Sequence, residues 1–185
     1  MFLRKSGEDR DPLVVAMSGV RRGERVLQIG VNDAPTACRA ALKAGLSGHA
    51  AIVVQDDASR GRVATAAAQA GAMIDLQVAP LDALPFDDGS FDVAVVNGAD
   101  GLLASLGDGR RDLLREAYRV IRPGGRIITV EPGTPVGLLA RLRARPAEPA
   151  GYAGGVTGAL ADAGFGPVRD LGDLEGLKFA EGFRR

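Results

Sequence analysis

Short apolar runs alternate along the chain with longer stretches that are amphipathic or rich in alanine. That alternation predicts an α/β architecture, a mainly parallel sheet covered by helices on both faces. Strands are expected at 25–29 (RVLQI), 50–55 (AAIVVQ), 74–78, 91–96 (FDVAVV) and 126–131 (RIITVE). The unbroken apolar character of the second run suits a strand buried on both faces. Helices are expected at 12–20, 34–44, 59–70, 108–121 and 156–163, and a short one at 136–144. Their limits are read from breakers. Asp11-Pro12 suits a helix start, Gly45 and Gly71 suit helix ends, and Pro123-Gly124-Gly125 stops the fourth long helix and turns the chain. Two further strands, at 168–171 and 177–181, with a hairpin-length connection at 171–176, would close the chain and add an antiparallel edge to the sheet. Residues 1–11 are read as a flexible N-terminus and 12–185 as a single domain.

Charge and composition narrow the function. Lysine plus arginine equals aspartate plus glutamate, 23 of each. Binding a phosphate polymer usually leaves a basic excess, so nucleic acid is not expected as a partner. The arginine groups at 21–22, 110–111 and 141–145 read as solvated faces. One cysteine, Cys38, and one histidine, His49, supply neither a disulfide nor a metal cluster, and His49 has no nucleophile motif beside it. No metal site and no hydrolytic triad are expected. The N-terminus lacks an apolar signal core, and no apolar run approaches the roughly 20 residues of a membrane span. A cytoplasmic protein without a membrane partner is the expectation.

The candidate chemistry lies where strands end. In a parallel α/β sheet, ligands bind at the carboxyl ends of the strands. The first strand runs into Gly30-Val31-Asn32-Asp33-Ala34 at a helix start. A glycine there permits close approach of backbone to a ligand. The second strand ends in Gln55-Asp56-Asp57, and an acid one βα unit after the first loop can accept hydrogen bonds from ribose hydroxyls. A structural turn and a helix cap at Asp57 account for the same residues equally well.

Two longer stretches carry a resemblance. Leu84-Pro85-Phe86-Asp87-Asp88-Gly89-Ser90-Phe91-Asp92, running into a strand, and Arg115-Glu116-Ala117-Tyr118-Arg119-Val120-Ile121-Arg122-Pro123-Gly124-Gly125 resemble the corresponding segments of class I S-adenosylmethionine-dependent methyltransferases, in the type-11 methyltransferase-domain branch. The resemblance covers roughly residues 12–182. It implies a Rossmann-like, doubly wound seven-stranded sheet of order 3-2-1-4-5-7-6 with strand 7 antiparallel, and S-adenosylmethionine as cofactor.

Position by position, the resemblance implies cofactor-binding roles for Gln28, Gly30, Asn32, Ala34, Asp57, Leu81, Asp82 and Asn97. Gln28 stands where the family has an acid that attracts the cofactor's ammonium. Asn32 and Ala34 replace the second and third glycines. Asp57 matches the ribose-binding acid, with Asp56 as the alternative one residue away. Pro80 replaces the acid that accepts from the adenine amino group. Leu81 keeps a backbone N–H for a ring nitrogen and an apolar side chain for the purine face. Asn97-Gly98 falls where the methionine end is held, and Gly101-Leu102-Leu103 stands in place of a usual polar pair. Methyl transfer needs alignment more than proton transfer. No catalytic residue is named, and Asp100 reads either as a substrate-facing base or as a loop carboxylate.

The expected activity is therefore methyl transfer to a small-molecule substrate. Two other readings stay open. One is a methyltransferase-fold binding or partner protein without catalysis, suggested by the changes at Gln28, Asn32 and Pro80. The other is a dinucleotide-dependent oxidoreductase, for which Asn32 and Pro35 are poor replacements for glycine.

Overall fold

The computed structural model describes residues 11–133 and 155–185. The expectations for residues 1–10 and the helix at 136–144 lie outside the described residues.

The central strands are β1 (Arg25–Ile29), β2 (His49–Val54), β3 (Asp75–Val78), β4 (Phe91–Asn97) and β5 (Ile121–Pro132). Two more, β6 (Val168–Leu174) and β7 (Leu177–Phe183), complete a seven-stranded sheet of order β3-β2-β1-β4-β5-β7-β6. β1 to β5 pair in parallel, and β7 runs antiparallel to both β5 and β6. This is the order that the resemblance implied. The helices are α1 (Asp11–Met17), α2 (Ala34–Ala44), α3 (Asp57–Ala70), α4 (Leu102–Ser105), α5 (Gly109–Val120) and α6 (Gly155–Asp162).

Alternation along the strands sorts the core into two faces. Leu27, Ile29, Ala94, Val96 and Ile127 pack with Leu113, Leu114, Ala117 and Val120 of α5 and with Val156, Ala159 and Leu160 of α6. Val26, Val93, Val95, Ile128 and Val130 point the other way, toward Val14 of α1 and Ala44 of α2. Small residues of α2 (Ala37, Cys38, Ala40, Ala41) let it lie close to the sheet. α3 buries only Val63 and Ala66 and so lies at the rim, near the edge strand β3.

Several expected limits shift, each for a physical reason. α1 ends at Met17 rather than Val20, because Gly19 takes a positive φ of 61°. β2 spans 49–54, leaving Gln55 exposed. α3 opens at Asp57 because Asp56, not Asp57, is its cap: the Asp56 carboxylate accepts from the backbone N–H of Ser59. β5 begins earlier than Arg126. Ile121 already pairs with Phe91, and the next partners are Val93 and Arg126, so residues 122–125 bulge out of the strand. The PGG segment is thus an excursion within β5. It is held by the C-terminus, where the Gly124 N–H donates to the Arg184 carbonyl and the Arg184 N–H donates to the Gly125 carbonyl. β6 and β7 extend to a two-residue turn with positive φ at Glu175 (53°) and Gly176 (74°), so the connection is shorter than the expected 171–176. α4 was not expected. It is one turn long and anchored by buried Leu103.

Ion pairs stitch the amino-terminal end of the sheet. Asp92 accepts from the Arg25 N–H at 2.6 Å and from the Arg122 guanidinium at 2.5 Å. Arg126 places two nitrogens on Glu24 at 2.8 and 3.0 Å. Burial works to raise the Glu24 and Asp92 carboxyls, but their arginine and backbone partners together hold both below the ordinary range. At Glu116, the hydrogen bond from Arg119 is the largest cause and lowers the carboxyl against some burial.

A depressed folded-state value means that the native chain keeps these groups ionised where the unfolded chain takes up protons. Their contribution is whole above the unfolded value, about 4 for carboxylates, and is lost as pH falls through the folded values. Urea midpoints measured against pH are therefore expected to drop steeply below about pH 4, the ordinary carboxylate range. Gly125→Ala tests the bulge. An added Cβ would lie 2.5 Å from Ile121 Cγ2 and 2.7 Å from the Asp92 carbonyl oxygen. Forced overpacking of that kind is expected to lower unfolding free energy by about 2 kcal/mol, read from the denaturant midpoint at constant m.

Candidate functional site

The loops after β1, β2, β3 and β4 emerge side by side at the carboxyl edge of the sheet, because those four strands are neighbours in the order β3-β2-β1-β4. Backbone hydrogen bonds tie the loops to adjacent strands: the Gly30 N–H donates to Val53 O, and the Ala79 N–H donates to Val54 O, both at 3.1 Å. The eight residues singled out from the sequence therefore share one edge, but they present themselves differently.

Gln28 is buried at 4% exposure, on the face that α1 and α2 cover, and its Nε2 donates to the Gly30 carbonyl at 3.3 Å. It braces the loop from behind. Gly30 has a φ of 74°, and a Cβ built there would lie 2.5 Å from Leu102 Cδ2 and 3.1 Å from the Asn97 carbonyl oxygen. The chain thus favours glycine here for its dihedral and for the nearness of the Asn97 carbonyl, and Leu102 of α4 fills the space beside it. Asn32 is exposed, and it helps line a wide cleft of about 750 Å³ between the start of α2 and α3, together with Ala34, Arg62 and Gln69.

Asp33 was not singled out from the sequence, yet it caps α2. Its carboxylate accepts from the Thr36 N–H at 2.8 Å and from the Thr36 hydroxyl at 2.7 Å. An acid placed just before Ala34-Pro35 is the local signal for such a cap. Asp56 caps α3 in the same way and also accepts from the Ser59 hydroxyl, and these bonds hold its carboxyl below the ordinary range. Asp57 is the more available of the pair. Its side chain is 88% exposed, with Arg60 Nη1 3.8 Å away.

After β3, Pro80 and Asp82 are exposed, whereas Leu81 is 4% exposed and belongs to the core. Its side chain is thus turned into the core, and its backbone is the part left to meet a ligand. The turn closed by Ala83 N–H on Pro80 O at 3.4 Å leaves the central N–H groups of Leu81 and Asp82 out of its hydrogen bond. At the end of β4, Asn97 is buried and its Oδ1 accepts from the Ala99 N–H at 3.3 Å. Asp100 is exposed, and its Oδ1 accepts from the Leu102 N–H at 3.2 Å, which makes it a loop-shaping carboxylate.

One more acid reaches this end of the sheet. Glu131, near the end of β5, lies across from Lys178 of β7. Burial pushes its carboxyl up, against the pull of Arg110 and Lys178. Carboxylates thus follow or end all five parallel strands: Asp33, Asp56 and Asp57, Asp82, Asp100, and Glu131. Such a rim suits ribose hydroxyls and a cationic ligand, and it is a poor host for a pyrophosphate, which needs free helix amides and basic groups. At α2 the Thr36 N–H already donates to Asp33, and Pro35 has none to offer.

A sequence profile of the methyltransferase-domain family matches residues 27–129, more than half of the 185-residue chain. The chain belongs to that family. A ubiquinone/menaquinone biosynthesis C-methyltransferase of Geotalea daltonii is 37% identical over 76 residues, covering 40% of this chain and 30% of that protein. An uncharacterised protein of Mycobacterium tuberculosis is 34% identical over 145 residues, covering 76% of this chain and 50% of that protein. The chain therefore spans half or less of the length of these curated relatives. Among solved structures, an S-adenosylmethionine-dependent methyltransferase from Aquifex aeolicus superposes with a TM-score of 0.72 at 15% identity, covering 95% of this chain and 89% of that one. The fold is that of the class I enzymes, and S-adenosylmethionine is the family's cofactor. The exposed carboxylates of Asp57 and Asp82 are acceptors of the kind that its ribose hydroxyls and its positive charge call for. Leu102 stands against Gly30, in the space that a side chain there would take.

Asp33→Ala separates capping from any ligand role. It is expected to lower stability by about 1 kcal/mol, a typical N-cap loss, while Asp33→Asn stays within a few tenths. Urea titration of the ligand-free chain reads both.

Proposed function

We propose that this methyltransferase domain transfers a methyl group from S-adenosylmethionine to a small organic acceptor. The observation that carries the reading is the run of carboxylates at the carboxyl edge, with Asp57 exposed after β2 where a ribose would be gripped. When bound, the cofactor supplies a methyl group already activated on a sulfonium, so the protein's work is orientation and exclusion of water. In this reading Asp57 accepts from ribose hydroxyls, the backbone at Leu81 and Asp82 meets the purine edge, and the loop after Asn97 borders the methionine end. The balanced charge and acidic rim favour a neutral or cationic acceptor over a nucleic acid. The relatives named for ubiquinone and menaquinone biosynthesis support an acceptor of small-molecule size.

A second reading, a methyltransferase-fold binding protein without catalysis, draws on a specific observation. Leu102 stands against Gly30, and Pro80 offers no side-chain acceptor to an adenine amino group. In that case α4 would stay closed over the loop.

Calorimetric titration with S-adenosylmethionine, S-adenosylhomocysteine and NAD separates the readings. Binding of the first two with no response to NAD is expected. Silence toward all three from a folded sample would overturn the cofactor assignment in favour of the second reading. Asp57→Ala is expected to weaken S-adenosylhomocysteine about tenfold or more, since losing a hydrogen bond to a charged group costs about 1.5–3 kcal/mol. Its melting temperature should stay unchanged, whereas Asp56→Ala should lower the melting temperature through loss of the α3 cap.

A further inference from the structure

The segment 79–90, between β3 and β4, has no helix or strand of its own. Its internal hydrogen bonds are few: Ala83 N–H to Pro80 O, Phe86 N–H to Leu84 O at 2.8 Å, and Ser90 Oγ to Asp87 O at 2.6 Å. Its position is set mainly from outside: Arg25 Nη2 donates to the Gly89 carbonyl at 3.4 Å, and two side chains one turn apart on α5 hold residues 84–88. Glu116 Oε2 accepts from the Leu84 N–H at 2.9 Å. Arg119 Nη2 donates to the Leu84 carbonyl at 3.0 Å, and Nη1 donates to the Phe86 carbonyl and to Asp88 Oδ1, both at 2.8 Å. Arg119 Nε and Nη2 also donate to the two Glu116 oxygens at 2.8 Å. All five guanidinium N–H donors are thereby engaged, which a lysine cannot reproduce. The Arg119 carbonyl accepts from the Gly89 N–H at 3.0 Å, and the buried side chains of Leu81 and Leu84 lock the same loop to the core.

We propose that the Glu116–Arg119 pair is a positioning device for purine recognition, holding the 81–88 loop so that its backbone N–H groups read the base. The proposal rests on the cofactor reading given above. Its physical ground is that Pro80 carries no polar side chain, so the identity of the base depends on backbone direction at Leu81 and Asp82, and the loop that carries them is anchored from α5 two to six residues further on, at Leu84, Phe86 and Asp88. A backbone N–H accommodates the acceptor nitrogen of adenine but meets an N–H donor at the equivalent atom of hypoxanthine. The native chain therefore prefers an adenine over a hypoxanthine nucleoside, and the preference disappears when the loop is released.

The test compares S-adenosylhomocysteine with S-inosylhomocysteine by calorimetry, in the native chain and in Arg119→Gln. Arg119→Lys, which keeps the charge but not the planar fork, stands in if the first variant does not fold. Glu24→Gln, which breaks the Glu24–Arg126 pair at the other end of the sheet, is the control for general destabilisation. The native chain is expected to favour the adenosyl ligand about tenfold, on the scale of one hydrogen bond. The Arg119 variant should fall within about threefold of no preference, and Glu24→Gln should keep the native ratio. A folded Arg119 variant with the native preference, or an equal loss of preference in Glu24→Gln, overturns the proposal. Equal binding of both ligands by the native chain also overturns it while leaving the cofactor reading intact. Silence of the native chain toward both removes the cofactor reading and this proposal together.

Discussion

Burial of β1 between β2 and β4, with helices covering both faces, is the constraint on which the molecule depends. Leu27 and Ile29 are wholly buried on one face and Val26 nearly so on the other. Strands so enclosed carry almost no polar side chain along their length, so the polar chemistry collects at their carboxyl ends. The exception within β1, Gln28, makes the same point: its amide is spent on the Gly30 carbonyl, at the strand's end. The acid-lined edge is thus a consequence of the packing as much as of any ligand.

That edge is built by short local devices and then trimmed by distant ones. Asp33 and Asp56 each fold back onto the helix they precede, which fixes where α2 and α3 begin and leaves Asp57 facing solvent. Leu102, from a single helical turn, closes against Gly30. The loop after β3 has little internal bonding and takes its shape from Glu116 and Arg119. Two kinds of support therefore shape one edge: helix caps on the β1 and β2 side, and an ion-pair clamp from α5 on the β3 side. The first is local in sequence. The second spans more than thirty residues of chain.

The substitutions relative to the family pattern acquire distinct physical meanings. Gln28 is an internal brace, buried away from solvent. Asn32 stands in the open at the α2–α3 cleft, where its side chain crowds nothing in the core. Pro80 removes a side-chain acceptor and a backbone N–H at once, which shifts any reading of a base to Leu81 and Asp82 and makes the placement of their loop matter more.

The sequence by itself determined the order and type of the long elements, because apolar periodicity and the breakers at Gly45, Gly71 and Pro123 are local signals. β1 and α2 lie where the pattern put them, and the sheet order follows the resemblance carried by residues 84–92 and 115–125. It also pointed to the edge where the candidate residues gather. Tertiary structure alone decided which of Asp56 and Asp57 caps α3, that the Leu81 side chain belongs to the core, that residues 122–125 bulge from a continuous strand, and that Leu102 meets Gly30. Each of those outcomes depends on which of several near-equivalent groups finds a partner after the chain has closed, and no local pattern encodes a contact between residues that become neighbours only on folding.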